Sequence, residues 1–140
     1  MNCPFCDKEN IEKQKIYETE TEYVLYNIRP ANKGQCLIIP KKHVSNIREL
    51  SDEETASLFK TAKFVSSKLN EYIKPDGFNY GINEGECAGQ TIEHLHLHII
   101  PRICDDKLQE FHLFHREPST KRNLSEEELK PFVEEFKKLF

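Results

Sequence analysis

One stretch constrains this chain more than any other: His94-Leu95-His96-Leu97-His98-Ile99-Ile100-Pro101-Arg102. It alternates large aliphatic residues with three of the chain's six histidines. Side chains on a strand point to opposite faces in turn. An extended segment therefore puts His94, His96 and His98 on one face and Leu95, Leu97 and Ile99 on the other. A helix would scatter the same residues around its axis. The pattern predicts a strand over 94–102, with its aliphatic face anchored in a core and its imidazoles lining a surface or cleft. Pro101 has no N–H to give to a ladder and marks where that strand weakens or stops.

The rest of the chain supplies a small α+β frame for this strand. Residues 15–28, rich in Tyr, Thr, Val and Ile, read as two short strands joined near 19–22. Residues 27–34 carry Pro and Gly and form a loop, and the apolar run 36–40 is a buried strand ended by proline. Ser51 and Glu54 make a capping box, opening a helix over 51–70 with Leu58, Ala62, Val65 and Leu69 on one face. Another short strand is expected over 78–83, and a Gly-containing loop over 84–90 leads into the histidines. After Arg102 a strand is expected over 111–115 and an exposed loop over 117–123. A last helix begins near Ser125, where Ser125 and Glu128 repeat the capping box.

At 140 residues the chain is long enough to bury one core, and is read as a single domain over 1–140. Its 24 acidic and 20 basic residues give a net charge of −4, which argues against a nucleic-acid polymer or an anionic membrane as partner. It leaves room for a small anionic ligand, which local N–H groups and imidazoles can hold. No apolar run approaches the roughly 20 residues of a membrane helix, and no secretory signal opens the sequence. Five cysteines, an odd number, favour reduced thiols or metal ligands in the cytoplasm over a disulfide framework.

Two patterns carry chemistry. Neutral imidazole is a nucleophile that titrates near neutrality, so a strand presenting several suits proton transfer or covalent catalysis. Gly89-Gln90-Thr91, just upstream, offers backbone amides, a carboxamide and a hydroxyl, a grouping that suits phosphate. Near the N-terminus, Cys3-Pro4-Phe5-Cys6 is a C-x-x-C pair, either half of a tetrahedral zinc site or a redox couple. A thioredoxin-like couple would follow a strand, and none precedes Cys3.

With these residues in view, the sequence resembles the histidine triad (HIT) superfamily of nucleotide hydrolases and transferases. The family's His-φ-His-φ-His-φ-φ motif (φ apolar) matches residues 94–100 throughout. Upstream, Asn83 and Ala88-Gly89-Gln90-Thr91 resemble its substrate loop, and Lys33-Gly34 with Leu37-Ile38-Ile39-Pro40-Lys41-Lys42-His43 its earlier strand. Gly-Gln-Thr before the triad and Pro-Arg after it look closer to the dinucleoside polyphosphate hydrolase (fragile histidine triad) branch than to the phosphoramidase branch. The resemblance implies a five-stranded antiparallel sheet with one main helix, paired into a homodimer. Within it, residues 1–10 would form a zinc knuckle, 11–102 the core and 103–140 a C-terminal helical extension.

The resemblance also implies roles. His96 would attack the α-phosphorus of a nucleotide, such as a diadenosine polyphosphate or adenosine phosphoramidate, to give a nucleotidyl-histidine that water hydrolyses. His98 would hydrogen-bond the α-phosphate and manage leaving-group charge. Gln90 and Thr91 would contact phosphate oxygens, Asn83 would lie beside them, and Asn27 would sit at the ribose hydroxyls. Cys3, Cys6, His43 and His94 match the positions at which some members hold a structural zinc, so His94 would not be free for acid–base work. No organic cofactor is implied. One departure stands out: the family often has Gly-His where this chain has Gly34-Gln35, and glutamine cannot shuttle a proton near pH 7. His112 and His115 are the unassigned histidines, read as ordinary tail residues. Two other functions compete: a metallohydrolase with catalytic zinc on His94, His96 and His98, and a non-catalytic nucleotide-binding protein.

Overall fold

The computed structural model describes residues 2–106 and 123–140. The strand expected over 111–115, the loop expected from 117 up to Asn123, and His112 and His115 lie outside the described residues. Five strands build the frame: β1 (Lys15–Glu18), β2 (Glu22–Tyr26), β3 (Cys36–Pro40), β4 (Gly77–Gly81) and β5 (Leu97–Arg102). They pair in the order β1-β2-β3-β5-β4, every neighbour antiparallel. Three helices accompany them: α1 (Lys8–Gln14), α2 (Asp52–Ile73) and α3 (Glu126–Lys137). The α+β sheet-and-helix expectation is met, with α1 as an element that the sequence reading lacks.

Alternation along the strands separates two apolar layers. Val24, Tyr26, Cys36, Ile38, Leu97 and Ile99 face one side, packing with Leu58, Ala62, Val65 and Leu69 of α2 and with Leu129, Val133 and Phe136 of α3. Each large aliphatic side chain buried there contributes about 1.5–3 kcal/mol relative to exposure. On the opposite face Leu25, Leu37 and Ile39 meet Phe5 and Ile11 from the N-terminal segment. Both faces of the sheet are thus covered near its centre.

The helices start where the capping boxes place them. The Ser51 hydroxyl accepts from the Glu54 N–H at 3.0 Å, and Glu54 Oε1 accepts from the Ser51 N–H at 2.9 Å. Ser125 and Glu128 repeat the exchange for α3. Helix α2 runs three residues past the expected 70, to Ile73, and closes on Lys74 in the left-handed region (φ 53°) immediately before Pro75. Helix α3 carries Pro131 in its interior, which removes one backbone donor. Burial of Leu129, Val133 and Phe136 keeps the helix in place regardless.

Two differences concern the histidine strand. The ladder begins at Leu97, not His94, pairing Ile38 with Leu97, Leu37 with His98 and Cys36 with Ile99. Residues 94–96 are held by another segment instead: the Leu95 N–H donates to the Val44 carbonyl at 2.7 Å. The imidazole face is also not open surface, because His94 is 0% and His96 7% exposed. The N-terminal Phe5 packs on that face, against the His94 and His96 rings.

Candidate active site

The alternation at 94–98 places three imidazoles on one side, but the backbone gives each ring a different partner. His96 Nδ1 lies 2.8 Å from the His94 carbonyl oxygen. A carbonyl only accepts, so Nδ1 carries the proton and Nε2 keeps its lone pair. Burial pushes the His96 pKa down, outweighing the opposing effect of that hydrogen bond. The ring is therefore neutral at physiological pH, with one tautomer fixed, the state a nitrogen nucleophile requires. Phe5 packs edge-on against it at 5.3 Å between ring centroids.

His98 is the one triad histidine inside the sheet ladder, opposite Leu37. Its ring lies 4.9 Å from that of His96, edge to face. Burial, reinforced by His96, lowers its pKa to about 3, so it too is neutral. Its Nδ1 is 3.2 Å from the side-chain nitrogen of Gln35.

The His94 ring has other partners. Its Nε2 donates to the Pro40 carbonyl at 2.8 Å, leaving Nδ1 with a lone pair directed at the cysteines. The Cys3 and Cys6 sulfurs lie 3.5 and 3.6 Å from that nitrogen. Cys6 Sγ is 3.2 Å from His43 Nδ1, and the His43 and His94 rings meet at right angles. Ligand atoms of Cys3, Cys6, His43 and His94 all fall within 4.8 Å of one another, the single group among the described residues that could hold a metal ion. Burial, with Cys3 adding to it, pushes the Cys6 thiol up, and a bound cation would reverse that.

The loops that border the triad are braced from within. The Gln90 side chain spans two of them, donating to the Ser45 carbonyl at 3.0 Å and accepting from the Gly85 N–H at 2.7 Å. Glu84 anchors the same region, accepting from the Ile47 N–H at 2.6 Å and from Arg48 Nη1 at 2.9 Å. Asn83 lies against Gly89, whose φ of +93° is a left-handed turn. Thr91 is exposed where the loop enters the triad, and among the described residues no hydrogen bond ties its side chain to the histidines. Asn27 follows β2; its Oδ1 accepts from the Arg29 N–H at 3.1 Å, and its own N–H donates to the Gln35 carbonyl at 3.0 Å.

Two contributors escape a reading of motifs alone. Phe5 lies between the cysteines, and its position there was the available signal. Glu84 gives none, because its anchoring of 47–48 exists only in the folded chain.

Comparison with known proteins follows the same geometry. The HIT domain model matches residues 8–104. This chain belongs to the HIT family. Among curated HIT relatives, a bis(5'-adenosyl)-triphosphatase of Dictyostelium discoideum is 34% identical over 133 residues, spanning 90% of this chain and 89% of the relative. An adenosine 5'-monophosphoramidase of Schizosaccharomyces pombe is 38% identical over 104 residues, 73% of this chain and 75% of the relative. Among solved HIT structures, a Zn-bound histidine triad family protein from Mycobacterium smegmatis superposes with a TM-score of 0.69. It is 30% identical, and the match spans 100% of this chain and 99% of that one.

Proposed function

We propose that this HIT protein is a nucleotide hydrolase acting at the α-phosphate of dinucleoside polyphosphates or nucleoside phosphoramidates, with His96 as nucleophile. The observation that carries this reading is the 2.8 Å contact between His96 Nδ1 and the His94 carbonyl, which leaves Nε2 as the reactive nitrogen. The two curated relatives above act, by their names, on a dinucleoside triphosphate and a phosphoramidate. Nε2 attacks the α-phosphorus, a P–N bond to His96 forms, and the P–O or P–N bond to the leaving group breaks. A leaving phosphate departs as its anion, and a leaving amine takes a proton from solvent. Water then attacks the phosphorus, the bond to His96 breaks, and the water's proton passes to solvent. Dividing one displacement into two easier ones is the benefit of the covalent step.

In this scheme His98 donates a hydrogen bond to the α-phosphate, and Thr91, Gln90 and Asn83 border the phosphates with Asn27 at the ribose. Gln90, with both ends of its amide engaged, shapes the loop through Ser45 and Gly85. We take the protein to be a homodimer, as the family resemblance implies, and to be cytoplasmic, as its odd number of cysteines favours. No helix among the described residues is long and apolar enough to cross a membrane.

We assign the Cys3, Cys6, His43 and His94 group to a structural zinc ion. A tetrahedral Zn²⁺ with Zn–S near 2.3 Å and Zn–N near 2.05 Å sets sulfur and nitrogen about 3.5 Å apart. Three of the four sulfur–nitrogen separations here run from 3.2 to 3.6 Å, and all the ligand atoms lie within 4.8 Å of one another. Four protein ligands close the coordination shell, so such an ion supplies cross-linking rather than an open catalytic position. A metallohydrolase built on all three triad histidines is disfavoured by the ring directions: His94 Nδ1 addresses the cysteines while His96 Nδ1 is engaged by a carbonyl.

The test is to incubate the protein separately with adenosine 5′-phosphoramidate, diadenosine triphosphate and diadenosine tetraphosphate. Release of AMP from at least one, with an acid-labile adenylylated protein trapped by rapid quenching, is the expected result. No cleavage of any of the three would overturn the reading.

A further inference from the structure

Gln35 occupies the position at which this chain departs from its family, and it is 4% exposed. It precedes β3 on the face that carries Leu37, the cross-strand partner of His98. Its backbone is fixed independently of its side chain. The Gln35 N–H donates to the Asn32 carbonyl at 3.2 Å, and its carbonyl accepts from the Asn27 N–H at 3.0 Å.

The side-chain amide has one orientation that satisfies its neighbours. Oε1 accepts from the Ala31 N–H at 2.6 Å, and a backbone N–H can only donate, so the oxygen end is pinned there. Nε2 is consequently the end that meets His98 Nδ1 at 3.2 Å. An amide nitrogen donates and does not accept, so Nδ1 must be the acceptor and the His98 proton must reside on Nε2.

We propose that the Gln35 carboxamide is a positioning residue that locks His98 in its Nε2–H tautomer, presenting a fixed neutral donor to the substrate phosphate. The substrate part rests on the reading above, that His98 meets the α-phosphate; the tautomer does not. A histidine at this position could either donate to or accept from Nδ1, according to its own protonation. Glutamine has no second state, so the donor on the far side of His98 is set by covalent structure. An imidazolium at His98 would oppose two N–H groups across the same contact, and the depressed His98 pKa agrees with its exclusion.

The test uses uniformly ¹⁵N-labelled, metal-replete protein and long-range ¹H–¹⁵N correlation spectra of the imidazole rings. Wild type is expected to show the Nε2–H pattern for His98 and the Nδ1–H pattern for His96. Gln35→Glu, which keeps the shape but makes the contact an acceptor, should shift His98 to an Nδ1-protonated form and leave His96 unchanged. Its kcat should fall about ten- to a hundredfold with little change in KM, because the donor is lost from the developing charge. An Nδ1–H pattern for His98 in wild type would overturn the proposal even if the variant failed to fold. So would a folded Gln35→Glu with an unchanged His98 signature. Absence of nucleotide cleavage by wild type, with the Nε2–H pattern present, would remove the hydrolase reading and leave the tautomer assignment standing.

Discussion

The His94 backbone carbonyl holds His96 Nδ1 at 2.8 Å while the Nδ1 of its own ring faces Cys3 and Cys6. The orientation of the His96 ring is therefore tied to the segment that closes on the cysteine pair. This coupling separates two kinds of mutational effect, one at the His96 ring and one at its support.

Replacing His96 with Ala or Gly removes the nitrogen but leaves the carbonyl and the His94 ring where they are. Turnover should fall by at least about 10³-fold, with the thermal melt within a few degrees and nucleotide binding retained. Product analysis together with equilibrium binding of a non-hydrolysable dinucleotide checks both. Near-normal hydrolysis by the variant would remove the covalent mechanism.

Metal content is predicted at about one zinc per chain, to be read by elemental analysis of purified protein. Cys3→Ser/Cys6→Ser should lose it and drop the melting temperature by about 5–15 °C. Activity should decline as well, because Phe5 would no longer be held against His96. Metal-free wild-type protein with the same melting temperature would contradict the assignment.

Glu22 supplies a pH signature remote from the triad. It is 2% exposed and its carboxylate accepts from the hydroxyls of Thr19, Thr21, Ser57 and Thr61. Burial raises its pKa, but the four hydroxyls together outweigh burial and hold it below the ordinary 4.5. A carboxylate with a depressed folded-state pKa stabilises fully above its unfolded value, and that contribution is lost as pH falls through the folded value. Glu22→Gln should thus be less stable by about 1–3 kcal/mol at pH 7, the gap narrowing as the pH falls below 4.5. Urea melts from pH 7 to pH 3 measure this, and a gap constant across that range would refute it.

Gly34 tests the support of Gln35 from the backbone side. Its φ is +93°, and a Cβ there would collide with the Ile73 side chain at the end of α2 and press on Pro101. Gly34→Ala is expected to cost about 1–3 kcal/mol through backbone strain and overpacking. A denaturation midpoint equal to wild type would show that the loop relaxes freely.

Much of this was legible because local chemistry agreed with the fold. Both capping boxes, the aromatic and β-branched content of β2, the unbroken apolar run of β3 and the Leu58-Ala62-Val65-Leu69 stripe each specify an element with little help from elsewhere. Where tertiary contacts decide, the sequence was silent. Period-two alternation cannot show where a ladder begins, and residues 94–96 stay outside it, held instead through Val44 and Pro40. Helix α1 spans seven residues, too few for periodicity, leaving only the Asp7 cap as a signal. The triad pattern marked the imidazole face but not its cover, since Phe5 reaches it from the far end of the chain. Gln35 read as a loss until its partners, Ala31 and His98, came together.

The cluster that joins Cys3 to His94 spans 91 positions of sequence, and this orders events during synthesis. Closing so distant a contact carries a chain-entropy cost that earlier, local elements do not meet. A growing chain can form α1, the β2–β3 pair and α2 while its N-terminal cysteines still lack half of their partners' rings. His94 and His96 leave the ribosome within two residues of each other, so the ring that faces Cys3 and Cys6 and the ring that the His94 carbonyl orients become available almost together. A chain that stops short of residue 94 therefore holds neither the ring that closes on Cys3 and Cys6 nor the one that the His94 carbonyl orients.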